Sequence, residues 1–224
     1  MPTQKKNFKQ KLLSLKDQEF TGRLDIKTNK GGEWRLYFYL SKLVWADGGH
    51  HPYRLWQRLV SVYCPDLDQD KLNLEEAKQF ECWSYYVVIK LLERSQINKP
   101  QVIQLITTRI LEGLFDIFQT EAQGNTLKCR IVTLPTSVIW ELGLKVSVVL
   151  LTIDDAIRQL EVQWLQWKKI GLTNYSPYKA PLIKNTDFFK KEFNAKTYKH
   201  ISNFTIMPKT AFITGSKFDL KFLK

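Results

Sequence analysis

Two runs of strict alternation constrain what the first fifty residues can fold into. In "FTGRLDIK" (20–27), Phe20, Gly22, Leu24 and Ile26 fall on one side, and Thr21, Arg23, Asp25 and Lys27 on the other. In "EWRLYFYL" (33–40), Trp34, Leu36, Phe38 and Leu40 share a side. A period of two marks a half-buried strand, because successive side chains leave opposite faces of a sheet. "NKGG" (29–32) supplies turn chemistry between the runs. Ser41-Lys42 makes a tight connection to "LVWA" (43–46). The pattern predicts a three-stranded antiparallel meander.

"DGGHHP" (47–52) breaks the sheet, and Pro52 suits the first turn of a helix. Leu55, Trp56, Leu59, Val60 and Tyr63 then recur at helical spacing until Pro65. Residues 66–79 are polar, acidic and irregular. The spacing predicts helices over 81–94, 99–122 and 152–172, with a short basic helix over 5–16 that turns Phe8, Leu12 and Leu15 inward. Ile103, Ile106, Ile110, Leu114 and Ile117 form the inner stripe of the long helix, and Gly124-Asn125 ends it. Residues 127–132 read as a further strand. In 152–172, Ile153, Ile157, Leu160, Trp164 and Trp167 step by four and three, the seam spacing of helix-on-helix packing. The expected architecture is α+β: a small antiparallel β-meander whose apolar face is covered by helices, with a helical C-terminal segment. Residues 1–172 are expected to form the domain, 173–187 a linker and 188–224 a truncated or disordered basic tail.

The formal net charge of +12 favours anionic partners, but its distribution qualifies that. Residues 184–224 hold nine lysines and three acids, half of the excess. Lys5, Lys6, Lys9, Lys11 and Lys16 precede the first acid, Asp17. Aromatics interleave with lysines in the tail, as in single-strand binders, yet arginine is absent there and no base-reading motif appears. Nucleic-acid binding through the basic termini is therefore the second reading.

Other chemistries find little support. Three widely spaced cysteines, Cys64, Cys82 and Cys129, form no C-x-x-C pair and suit a reducing compartment. The lysine-rich start is no signal peptide, and "VSVVLL" (146–151) is far too short for a membrane span, so a cytoplasmic location is expected. His50, His51 and His200 are the only histidines, too few at the wrong spacing for a zinc site or for acid–base catalysis. No G-x-S-x-G, Walker A or G-x-G-x-x-G motif occurs, and no cofactor is expected. "KVSVVLLTIDD" (145–155) ends an apolar run on two acids, as the start of a phosphoryl-accepting receiver does. The later aspartates, Asp187 and Asp219, sit wrongly for the rest of a receiver, so Asp154 and Asp155 are expected to open a helix.

Several motifs in order resemble one family. Gly22-Arg23-Leu24, Leu36-Tyr37-Phe38, Lys42-Leu43-Val44-Trp45-Ala46, Gly48-Gly49-His50-His51-Pro52 and Arg54-Leu55-Trp56-Gln57-Arg58 are similar to the PATAN domain. That domain is the N-terminal part of cyanobacterial PatA-type two-component response regulators. Residues 164–183 resemble its exit segment, and the likeness covers about residues 5–200. Ser41 stands where the family's hairpin has glycine, so φ there is expected to be negative. The family's C-terminal receiver is not found, and 205–224 resemble nothing placed.

The resemblance implies a non-enzymatic signalling adaptor that contacts output proteins, including type IV pilus motor components in phototaxis, or acts in cell patterning. Without its own receiver it could act constitutively or compete with full-length relatives. Arg54 and Arg58 lie one helical turn apart. Together with Tyr37, Tyr39, His50, His51 and the exposed edge of the meander, they form the candidate partner-binding surface.

Overall fold

The computed structural model describes residues 7–49, 52–68, 72, 74–144 and 148–175, with the backbone of 182–183 and 212–213. The chain divides at residue 174 into two compact units. In the first, strands β1 (Gly22–Thr28), β2 (Glu33–Tyr39) and β3 (Lys42–Gly48) form the expected antiparallel meander. The sheet is larger than the meander. β4 (Leu127–Thr133) pairs antiparallel along the whole of β1, and the two-residue β5 (Leu151–Thr152) pairs with the start of β3. The order is β4-β1-β2-β3-β5, so β1 is a central strand rather than an edge. In the second unit, the two-residue strands β6 (Leu182–Ile183) and β7 (Phe212–Ile213) pair in parallel. The linker, tail and receiver-related readings for 176–181, 184–211 and 214–224 fall outside the described residues, as do His50, His51, Lys5 and Lys6.

Helices α1 (Phe8–Leu13), α2 (Pro52–Tyr63), α3 (Trp83–Glu93), α4 (Lys99–Ala122), α5 (Thr136–Glu141) and α6 (Ile153–Lys169) complete the first unit. α4 is the centre of the packing. A capping box at Asn98 and Gln101 starts it, and it lies against β2 and β3 and touches α1, α2, α3 and α6. Leu24, Ile26, Trp34, Leu36, Phe38 and Ala46 are buried, as the alternation requires. Each buried Leu, Ile or Phe among them contributes roughly 1.5–3 kcal/mol by leaving water. Phe8, Leu12 and Leu15 are buried too, although α1 is shorter than expected.

Asp154 and Asp155 do open α6. Thr152 caps the helix through the Asp155 N–H at 3.1 Å, Asp154 pairs with Lys16 at 2.7 Å, and Asp155 with Arg158 at 2.6 Å. Acids at a helix start complement its dipole. The apolar run before them contributes only a short strand: Leu151–Thr152 pairs, and 145–147 are outside the described residues. α5 was not legible in the sequence, being one and a half turns long behind Pro135.

Five details differ from the expectation or add to it. Leu40 is not on the core face: it is 50 % exposed, in a two-residue turn with Ser41, at φ +46° and +59°. Lys42 already belongs to β3, opposite Tyr39. Ser41 has positive φ after all, and its hydroxyl accepts the Phe20 N–H at 2.9 Å, which compensates part of the strain. Ile103 is mostly solvent-facing and leaves the α4 stripe. Finally, the register shifts between Tyr37 and Phe38, so Val44 is the extra residue of a bulge. Trp45 therefore pairs with Tyr37, on the face away from Leu36 and Ala46. Residues 81–85 cover that corner, where Tyr85 meets the Trp45 ring edge-on at 5.3 Å. Both faces of the sheet are thus protected at β2 and β3.

Both central turn positions want a residue that accepts left-handed backbone, and leucine does so at a cost of about 1–2 kcal/mol. Leu40→Asn is expected to stabilise the fold by about 1 kcal/mol, raising the thermal midpoint by roughly 2–4 °C in a calorimetric scan. An unchanged or lower midpoint would show that this turn stores no strain.

Candidate functional site

The chain leaves β3 through two glycines. Gly48 (φ +87°) could not carry a Cβ, which would lie 2.3 Å from the Glu33 carbonyl oxygen. The Gly49 N–H donates to the same carbonyl at 2.8 Å. Below the turn, α4 presents two buried charged residues. Arg109 donates from Nη2 to the Gly48 carbonyl at 2.9 Å, and Asp116 accepts from Trp34 Nε1 at 2.9 Å. They are seven residues apart, two helical turns on one stripe, with Gly113 between them. This polar stripe was missed in the sequence, although the spacing Ile106, Arg109, Gly113, Asp116, Ile117 carries it. A recess lined by Gly31, Gly32, Glu33, Arg35, Gly48 and Gly49 lies beside the turn. The Gly31 and Gly49 amides are engaged by Thr28 and Glu33 oxygens, and Gly32 by the Thr28 hydroxyl.

α2 starts at Pro52 and buries Leu55, Trp56, Leu59 and Val60. Its outer face carries Arg54, Gln57, Arg58, Ser61 and Val62, all exposed. Arg58 is tied down: Nη2 donates to both carboxylate oxygens of Glu112 on α4, at 2.7 and 2.6 Å. The Tyr63 and Thr108 hydroxyls add a second α2–α4 bond at 2.8 Å. Tyr53 is 52 % exposed and stacks near Trp56 (centroids 6.4 Å) and Trp83 of α3 (6.1 Å), which themselves meet at 5.6 Å. A half-exposed tyrosine on a tryptophan pair, next to Arg54, is the aromatic and guanidinium composition of partner-binding hot spots.

The proposed surface residues do not all meet. Arg54 and Arg58 share the α2 face, with Arg58 partly spent on Glu112. Tyr37 is a correction: it is 0 % exposed and cannot meet a partner. The bulge puts it against Trp45 and residues 81–85, where its hydroxyl donates to Glu81 at 2.8 Å. Arg23 (2.8 Å) and Arg35 (3.2 Å) pair with the same Glu81 oxygen, and Asp25 pairs with Arg23 at 2.6 Å. Tyr39 sits at the hairpin end of β3, about 20 Å of strand from the Gly48 end. The meander's β1 edge is no surface either, since β4 occupies it. Tyr53, Trp83 and Glu112 carry no local sequence signal for the site and join it only through packing.

Burial, helped by the neighbouring Cys82 and Glu81, pushes the Tyr37 phenol far above its ordinary value, and burial does the same to the Tyr85 phenol and the Cys82 thiol. Burial thus favours the neutral form of all three groups. Among the described residues no group of three or more His, Cys, Asp or Glu is placed to hold a metal ion, and no helix is long and apolar enough to cross a membrane. No protein-family model, curated protein or solved structure matches this chain.

Two measurements check this geometry. Above pH 9–10, the ordinary range of these groups, the unfolded chain releases protons that the folded one keeps. Stability should therefore fall as pH rises through that range. Tyr37→Phe should be less stable at pH 7, for loss of its hydrogen bond, but should decline less steeply in alkaline urea titrations; an equal slope would place Tyr37 in a solvated site. A double-mutant cycle on the half-exposed Arg58–Glu112 pair should give a coupling of at most about 1 kcal/mol. A much larger value would mean that the pair is shielded from water.

Proposed function

We propose that this chain is a protein–protein interaction module, the PATAN-like part of a cyanobacterial two-component signalling adaptor. Its outputs are phototaxis and pilus motility, or cell-pattern control, and it is not an enzyme. The observation that carries the reading is the outer face of α2. Tyr53 stands half-exposed on the Trp56–Trp83 pair beside Arg54, and the helix is braced from behind by the Arg58–Glu112 and Tyr63–Thr108 contacts. A rigid aromatic anchor loses little freedom on binding, which makes such patches efficient partner sites. Arg58 contributes mainly by holding the helix, and Arg54 by meeting the partner. The motif order from Gly22 to Arg58 supports the family assignment.

The nucleic-acid reading loses ground at the N-terminus. Lys9 is paired with Glu161 and Lys16 with Asp154, so two of those lysines are engaged with α6. The test is capture of partners on the purified chain from a nuclease-treated cyanobacterial lysate at low and high salt. A discrete protein partner should persist at high salt, whereas phosphate-driven binding falls steeply. Arg54→Glu with Tyr53→Ala, at exposed positions, should weaken that partner at least about tenfold with the fold intact. Undiminished capture by the folded variant, or only salt-labile material, would refute the assignment.

A further inference from the structure

β4 is the terminal strand of the sheet, and no described residue pairs with its outer edge. Seven residues of open edge form a ready template for another extended chain. Its two faces have different chemistry. Cys129 and Ile131 lie on the face of Leu24 and Ile26, and Ile131 is 53 % exposed. Lys128 and Arg130 lie on the opposite face, both exposed.

Neither cation is compensated across the strand. Lys128 stands directly opposite Lys27, whose own ion pair goes to Glu33 on β2. Arg130 stands opposite Asp25, but Asp25 is already paired with Arg23 at 2.6 Å. Among the described residues, neither Lys128 nor Arg130 has an ion-pair partner. Like charges directly opposite each other are unfavourable and would be relieved by an acid on a further strand.

From this edge we infer a second binding site: β4 takes an extended acidic segment of another protein as a sixth strand. The segment alternates acids, which face Lys128 and Arg130, with apolar residues, which face Cys129 and Ile131. Main-chain hydrogen bonds hold it, and the alternation selects it. A second copy of this chain fits less well. Antiparallel β4–β4 pairing over the whole strand, with the faces aligned, is centred on Arg130 and sets that guanidinium against itself. The site is remote in the sheet from the α2 face and does not depend on the signalling assignment.

The probe is a fluorescently labelled eight-residue peptide of alternating Glu and Val, titrated with the full chain by anisotropy. Saturable binding should occur and weaken at least tenfold for Lys128→Glu/Arg130→Glu, while Arg54→Glu leaves it unchanged. The same peptide N-methylated along one edge should not bind, and amides in 127–133 should gain exchange protection with the parent peptide. Ile131→Lys gives a second readout at an exposed position and should also weaken binding. No binding, equal binding of the N-methylated peptide, or equal binding of a Lys-Val peptide would overturn the proposal. So would a concentration-dependent dimer abolished by Ile131→Lys, which would assign the edge to a second copy.

Discussion

The hydrogen bond from the Trp34 indole to Asp116 ties the central strand of the sheet to the longest helix. It lies wholly inside the protein, where an unmade polar contact costs about 1–3 kcal/mol. Two turns up the same stripe, Arg109 holds the Gly48 carbonyl. Together they fix where the chain leaves β3, and hence where α2 begins. Gly113 lets the helix approach: a Cβ there would sit 3.0 Å from the Ala46 methyl. α1, α2, α3 and α6 pack against α4, so their placement follows from this one alignment of helix and sheet.

The outer surfaces follow from that core. α2 cannot shift along α4 without breaking the Arg58–Glu112 pair and the Tyr63–Thr108 bond. Its exposed face is thereby rigid. On the far side of the sheet, a different device works. Glu81 gathers Arg23, Arg35 and Tyr37 onto one oxygen and pins the start of α3 over the Tyr37–Trp45 corner. Charge and aromatic packing there replace the aliphatic contacts used on the α4 side.

Much of the sheet was legible because strand faces depend on a period that local sequence displays. Leu24, Ile26, Trp34, Leu36 and Phe38 needed no knowledge of their neighbours. The placement of Leu40 and the face that Trp45 takes were not legible, for different reasons. Leu40 obeys the period but lies in the turn, where leucine is a poor signal for left-handed backbone. Trp45 lies past a bulge that shifts every later residue to the other face, and the sequence carries no mark of it. Arg54 and Arg58 were read correctly as one helical face. That Arg58 is met by Glu112, and that Tyr53 rests on Trp83, depends on residues 54 and 30 positions away. Such pairings arise from tertiary packing and leave no local pattern. The buried charges inside the apolar stripe of α4, Arg109 and Asp116, went unread, because each is satisfied by a partner in the sheet that local sequence does not show.

The distance in sequence between β1 and its outer neighbour has a consequence during synthesis. β1 ends at Thr28, and β4 does not begin until Leu127. At roughly 5–20 residues per second, the β1 edge waits on the order of 5–20 s for its partner. The meander can zip up early through its short turns, but it is born with a hydrophobic strand open to passing chains. Arg23, Asp25 and Lys27 interrupt that edge at every second position, so the same alternation that builds the sheet also guards it on the ribosome.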